Sequence, residues 1–172
     1  MTDAVVLTGT VGAGKTTTMH ALGDLLSERG VPHALIDSDA VRLLRPAPAD
    51  DPFQQRVELL NLHDLARNYR AAGARVVVVA AVIERADDLP AYAEALGARD
   101  PLLVRLTVDA DAVQARLGAR HVDDADALAW HRARTPELAA IIAAAGLGGL
   151  SVDTTHRDPA AVAGLVAERA GW

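Results

Sequence analysis

Short, continuous apolar runs alternate along this chain with longer segments in which apolar residues recur every three or four positions. Ala4 to Thr8, His33 to Ile36, Arg75 to Ile83, Leu102 to Val108 and Leu150 to Asp153 are of the first kind. Strands buried on both faces read this way, because neither side of the period-two pattern is left for water. The strongest signal is the run of valines from Val76 to Val79. The second kind predicts helices over Thr16 to Arg29, Gln54 to Ala72, Asp88 to Leu96, a segment capped by Asp109 or Asp111 and running through Leu117, Thr135 to Gly146, and from Pro159 onward. Met19, Leu22, Leu25 and Leu26 share a face of the first. Leu59, Leu62, Leu65, Ala66 and Tyr69 share a face of the second, and Val162, Leu165 and Val166 point inward from the last. Gly30, Gly73 and Gly97 follow helices, and Pro90, Pro136 and Pro159 fall in first turns. Arg42 to Pro52 predicts a loop after one helical turn at most, and Ala119 to His131 is polar and acidic without a clear period.

Five strands interleaved with helices predict an α/β fold with a parallel sheet, since right-handed crossovers place helices on both faces. No internal repeat or long linker divides the chain, so residues 1–172 are expected to form one domain. Ligands of such sheets sit beyond the C-terminal ends of the strands, which directs attention to the residues just after each apolar run.

Composition narrows the chemistry. Hydrophobic residues make up 51% and charged residues 23%, which suits a packed core. Cysteine is absent, which excludes disulfides, thiolate zinc sites and cysteine nucleophiles. The formal net charge of −6 comes with no basic stripe, so nucleic acid is not an expected partner. No apolar run approaches the ~18 residues of a membrane helix and no signal peptide is visible, so a cytoplasmic protein is expected, monomeric or homodimeric. Of the 17 Lys and Arg residues only Lys15 is lysine.

That lysine lies in Gly9-Thr10-Val11-Gly12-Ala13-Gly14-Lys15-Thr16, which matches G-x-x-x-x-G-K-[ST] at every fixed position, between a predicted strand and a predicted helix. Glycines let backbone N–H groups converge on a phosphate, and the following helix aims its free N–H groups and positive end there. Gly9, Val11, Gly12, Ala13, Gly14, Lys15, Thr16 and Thr17 are therefore the expected ATP-binding set. Lys15 reaches the β- and γ-phosphates and the Thr16 hydroxyl takes Mg²⁺. The bland alternative is a glycine-rich turn before a core helix. A dinucleotide fingerprint fails, because from Gly12 its third glycine falls on Thr17. The guanine motif N-K-x-D fails because the lone lysine is elsewhere.

The second apolar run ends in Asp37-Ser38-Asp39-Ala40-Val41-Arg42. Two carboxylates at i and i+2 beyond a strand can face the phosphate loop together. One serves Mg²⁺, with Asp37 the expected ligand beside Thr16, and the other accepts the proton of an incoming hydroxyl. Arg42 suits an anionic group on the acceptor. The alternative is that Asp37 or Asp39 only caps a short helix.

D-x-D-x-x-R after the second strand, following G-x-x-x-x-G-K-T-T, resembles the adenylylsulfate kinases and their relatives among small P-loop phosphotransferases, the gluconate kinases and chloramphenicol phosphotransferases. The resemblance implies a three-layer P-loop NTPase core of nucleoside-monophosphate-kinase type with a five-stranded parallel sheet. It also implies Mg·ATP as donor, a small-molecule acceptor near Asp37 and Asp39, and an arginine-bearing helical lid at about residues 111–134. The chain departs from adenylylsulfate kinases in that its lid contains no lysine, which argues against adenylylsulfate as acceptor. The third apolar run ends in Glu84 where an aspartate is common, leaving the metal side to Asp37 and Asp39.

On the lid, Arg116 and Arg120 are spaced i and i+4, placed to close over the nucleotide and neutralise charge on the transferred group; otherwise they form a solvated face paired with Asp111 or Asp123. The expected catalytic set is Lys15, Asp37, Asp39, Arg116 and Arg120. Arg132 or Arg134 also lies within reach of the phosphates. Thr154 to Arg157 follows the fifth strand, where relatives pass the adenine, and Arg157 either stacks on the base or is a surface arginine. Glu84, Arg85, Asp87 and Asp88 follow the third strand, on the acceptor side. His63 is expected at the edge of a buried helix face, and none of the histidines shows metal spacing. Trp130 and Trp172 read as packing residues, with Trp130 able to cover a ligand. The expected activity is phosphotransfer to a small hydroxyl-bearing metabolite. The competing readings are an ATP-binding regulatory module and a nucleoside monophosphate kinase.

Overall fold

A computed structural model describes residues 2–172. The chain runs β1 (Ala4–Thr8), α1 (Lys15–Glu28), β2 (His33–Asp37), α2 (Ser38–Val41), α3 (Gln55–Ala71), β3 (Val76–Ala80), α4 (Leu89–Ala95), β4 (Leu102–Thr107), α5 (Ala110–Arg120), α6 (Ala125–Ala144), β5 (Leu150–Asp153) and α7 (Pro159–Ala170), with a 3-10 turn at Ala86–Asp88 before α4. The five strands form one sheet in the order β2-β3-β1-β4-β5, and every pairing is parallel.

The alternation along each strand divides the core. Val5 and Leu7 of β1, Val76 and Val78 of β3, and Val104 and Leu106 of β4 pack against Leu22 and Leu26 of α1 and Val162 and Val166 of α7. Their neighbours Ala4, Val6, Val77 and Val79 face the other way, onto Leu62 and Ala66 of α3, Tyr92 of α4 and Leu138 and Ile142 of α6. Every residue of β1 and β3 is buried. This explains why both read as unbroken apolar runs, and it makes the molecule a three-layer α/β structure.

Strand β3 stops at Ala80 and not at Ile83, because its partner β1 turns away at Gly9. After the Ala81 N–H bond to Leu7 O (3.0 Å), the Thr8 hydroxyl takes over, accepting from Ile83 N (3.0 Å). The segment carrying Glu84 is thereby pinned beside the end of β1.

A larger difference is α6. Thr135-Pro136 does not open a helix; it lies inside one that begins at Ala125. The start is set by Asp124, whose carboxylate accepts from Ala127 N (2.9 Å). The Thr135 hydroxyl turns back to the His131 carbonyl (2.6 Å), the i−4 bond of a helix interior. Pro136 costs one backbone bond there, yet the helix continues because Leu138 and Ile142 anchor its second half in the core. Its first half is mostly exposed, so no apolar stripe marked it.

Two smaller differences concern exposure. Tyr69 is 41% and Leu165 38% exposed, although the periodicity placed both inward. At the end of α3 the inward position is filled by Arg70, which donates to the carbonyls of Leu96 (3.3 Å) and Asp3 (3.2 Å). His63 is exposed. Trp172 packs as expected, its indole N–H donating to Thr2 O (3.0 Å), whereas Trp130 is exposed. Among the described residues no helix is long and apolar enough to cross a membrane.

Truncating Leu62, fully buried under the sheet, is expected to destabilise the fold by about 2–5 kcal/mol. Truncating Tyr69 on the same helix is expected to cost under about 1 kcal/mol. Denaturant unfolding of Leu62→Ala and Tyr69→Ala checks this; equal losses would restore the periodicity's assignment of Tyr69 to the core.

Candidate active site

The loop after β1 closes tightly against the neighbouring elements. Gly9 has φ 148 and Gly12 φ 80. A Cβ on Gly9 would overlap the Leu106 carbonyl oxygen of β4, and one on Gly12 would stand 2.7 Å from Val113 Cγ2 of α5. Both positions thus need glycine for conformation and for space. Inside the curl, Lys15 Nζ donates to the carbonyls of Gly9 (2.9 Å) and Thr10 (3.0 Å). Desolvation pulls its pKa down to about 8, against the raising influence of Asp39 and Asp37. The ammonium is held by carbonyls at the N-terminal end of α1, where free N–H groups and the helix dipole favour an anion.

Asp37 ends β2 and carries out two tasks. Its Oδ1 accepts from Asp39 N (3.0 Å), capping α2, and its Oδ2 accepts from the Thr16 hydroxyl (2.9 Å). The capping and functional readings of this residue are therefore compatible. A hydroxyl and one carboxylate set side by side suit Mg²⁺, which completes its shell with phosphate oxygens and water. Among the described residues no cluster of three or more His, Asp or Glu side chains could hold a metal by itself.

One turn further, Asp39 is ion-paired with Arg42. Arg42 also bonds Glu58 Oε2 (3.2 Å), and Glu58 Oε1 accepts from the Tyr92 hydroxyl (2.7 Å). Glu58 is fully buried, and that burial raises its pKa despite Tyr92 and Arg42. Burial, followed by the charge of Glu58, raises the pKa of Tyr92 as well. Sequence reasoning passed over Glu58 and Tyr92. A signal existed, because Glu58 lies at i−4 from Leu62 on the buried stripe of α3, where an unpaired carboxylate would be costly.

The arginines of α5 divide. Arg116 is tied down: it donates to Gly12 O (3.0 Å), Thr154 Oγ1 (3.2 Å), Thr154 O (2.7 Å) and Thr155 O (3.2 Å). It braces the phosphate loop against the loop after β5, and the Thr154 hydroxyl adds a bond to Ala13 O (3.0 Å). Arg120, one turn on, has no ion-pair partner among the described residues. It lines a cavity of about 430 Å³ together with Lys15, Thr16, Asp39, Arg116 and Arg157. Val11, Gly12, Gly14 and Thr17 also form its wall, whereas Gly9 and Ala13 are buried and do not line it. Neither α5 arginine pairs with Asp111 or Asp123.

A second cavity, of about 250 Å³, opens on the other side of Asp39. Arg42, Glu58, Tyr92 and Asp88 form one wall, and Glu84, Arg134, Phe53 and Trp130 contribute to the others. Arg134 bonds Glu84 (2.9 Å) and Glu137 (2.8 Å) and lies 5.6 Å over the Phe53 ring. Phe53 is presented by a loop fixed through Asp51, whose carboxylate accepts from Gln55 N (2.9 Å) and Arg56 N (3.1 Å). His131 also reaches this cavity, stacked on His121 at 4.9 Å. Burial, then His121 and Arg120, lowers its pKa. Of the acceptor-side candidates after β3, Glu84, Arg85 and Asp88 line the cavity and Asp87 does not. Arg132 lines neither cavity, and Phe53 went unnoticed as a lone aromatic in a polar loop.

A glycine-curled anion site at the central strand, a hydroxyl–carboxylate pair beside it and two cavities meeting at one aspartate define a P-loop kinase fold. The chain belongs to the adenylylsulphate kinase family, whose model matches residues 1–112, from β1 into α5. No curated protein matches the sequence. Among solved structures, a tunicamycin resistance protein from Deinococcus radiodurans is 18% identical, with TM-score 0.65 over 99% of this chain and 96% of its own. A gluconokinase from Sinorhizobium meliloti 1021 is 17% identical, with TM-score 0.64 over 98% and 91%. A shikimate kinase from Acinetobacter baumannii is 17% identical, with TM-score 0.61 over 98% and 92%. These likenesses establish the shared fold.

Tyr92→Phe keeps the ring and removes the donor to buried Glu58. It is expected to lower stability by about 1–3 kcal/mol in denaturant unfolding. An unchanged midpoint would mean that the Glu58–Tyr92 bond contributes nothing.

Proposed function

We propose that the protein transfers the γ-phosphate of Mg·ATP to a hydroxyl of a small metabolite. The observation that carries this reading is that the phosphate-loop cavity and the cavity beside α2 share Asp39 and Val11 in their walls. A nucleotide in the first and an acceptor in the second would meet at that carboxylate. An ATP-binding regulatory module has no use for the second cavity.

In this reading the loop amides and Lys15 hold the β- and γ-phosphates, and a triphosphate draws the ammonium away from its two carbonyls. Mg²⁺, held by Thr16 and Asp37, would offset charge on the phosphate oxygens. Asp39 takes the proton from the acceptor hydroxyl as its oxygen attacks phosphorus and the bond to ADP breaks. Arg42 orients Asp39 and is itself fixed by Glu58 and Tyr92. Arg120, a cation of the cavity wall without an ion-pair partner among the described residues, neutralises charge on the transferred group. Arg116 positions the loop, and Arg157 lies toward the base. The segment from about 111 to 134 acts as the lid, with α5 as its braced side.

Asp39→Asn is expected to lower acceptor-dependent ADP release by about 10²–10⁴-fold while the Kd for Mg·ATP changes little. Full activity in that variant would remove Asp39 from the mechanism. A second prediction concerns Lys15. Because its free-state pKa is depressed to about 8, the ammonium is present below that pH and lost as pH rises through it. Mg·ATP affinity is therefore expected to fall as pH rises through about 8. Calorimetric titration across that range checks this, with Lys15→Arg expected to show no such fall. An unchanged wild-type affinity would contradict it.

A further inference from the structure

The acceptor cavity has a distinctive charge arrangement: each of its arginines is already matched. Arg42 lies between Asp39 and Glu58, Arg134 between Glu84 and Glu137, and Arg85 pairs with Asp87 (3.1 Å). The Asp39–Arg42–Glu58 group has no surplus positive charge, whichever protonation state Glu58 adopts. Asp88 faces the cavity and has no ion-pair partner among the described residues. His131 is held toward its neutral form by burial, His121 and Arg120. Lys15 and Arg120 belong to the nucleotide cavity. The charge left to greet an occupant is therefore negative.

In this geometry Arg42 already bonds Asp39 and Glu58, so the charge expected to clamp an anion is offset before any occupant arrives. An anionic occupant would compete with a carboxylate already paired to an arginine, or sit against Asp88, and both oppose binding. Hydroxyl groups, by contrast, donate to Asp39, Glu84 and Asp88 without desolvating a charge of their own. Phe53, Trp130 and Val82 supply an apolar flank.

We infer that the acceptor is a hydroxyl-bearing molecule without an anionic group, seated with one apolar face against Phe53, Trp130 and Val82. This rests on the proposed reading of the cavity as the acceptor site. It also sets the chain apart from the substrate in its family's name, which is an anion.

The test uses compounds close in shape and differing in charge: glucitol with gluconate, and methyl shikimate with shikimate. Binding to the full chain is measured calorimetrically with Mg²⁺ and a non-hydrolysable ATP analogue, and ADP release is measured separately with Mg·ATP. The expected result is that at least one neutral member binds, about tenfold or more tighter than its anionic partner. The double variant Glu84→Gln, Glu137→Gln, which frees Arg134, is expected to narrow that ratio. Tighter binding of the anionic members by the unaltered chain overturns the inference, as does failure of every compound to bind. Neutral binding without ADP release supports the charge assignment and counts against phosphotransfer. ADP release that prefers the anions does the reverse.

Discussion

The structure is organised around a problem of space. Backbone N–H groups and one ammonium must converge on a single point at the end of β1, with no side chain in the way. Gly9 is pressed against a β4 carbonyl and Gly12 against Val113, so the curl is fixed by neighbours on two elements. Lys15 sits inside it on two carbonyls, at a cost in desolvation that shows as a depressed pKa. The curl itself is thus set by its neighbours, with the ammonium parked on its carbonyls. The sheet order makes this possible, because β1 is central and its loop is flanked by the ends of β3 and β4.

From that point a line of polar contacts runs outward. Thr16 meets Asp37, Asp37 caps the turn carrying Asp39, Asp39 pairs with Arg42, Arg42 reaches Glu58, and Glu58 accepts from Tyr92. Each member is held by the next, and the last two are buried. The exposed Asp39 is thereby linked to the core, which is how a short helix at a sheet edge can hold a carboxylate at a defined place. Arg116 does the same on the opposite flank, joining the loops after β1 and β5.

Much of this was legible in the chain. The strands were plain because their burial on both faces leaves continuous apolar runs, and the phosphate loop because its glycines and lysine have few substitutes. The pairing of Asp37 and Asp39 followed from their place after β2. What escaped notice depends on contacts distant in sequence. Glu58 looks like a surface residue until Arg42 and Tyr92 meet it. Arg116 reads as a mobile arginine until Thr154 and Thr155 arrive beside it. The first half of α6 lacks an apolar stripe, and its proline suggested a beginning where the helix was already under way. The sign of the charge in the second cavity was invisible for a related reason: the arginines are evident in the sequence, but the carboxylates that match them come from other elements.

In the proposed reaction a terminal phosphate crosses from one cavity to the other at Asp39. Phosphorus NMR of Mg·ATP incubated with the protein and a mixture of neutral hydroxylated metabolites tests it most directly. The γ-phosphate resonance is expected to give way to a phosphate-ester resonance, and this signal is expected not to grow in Asp39→Asn. ATP left intact, or converted only to inorganic phosphate, would contradict it.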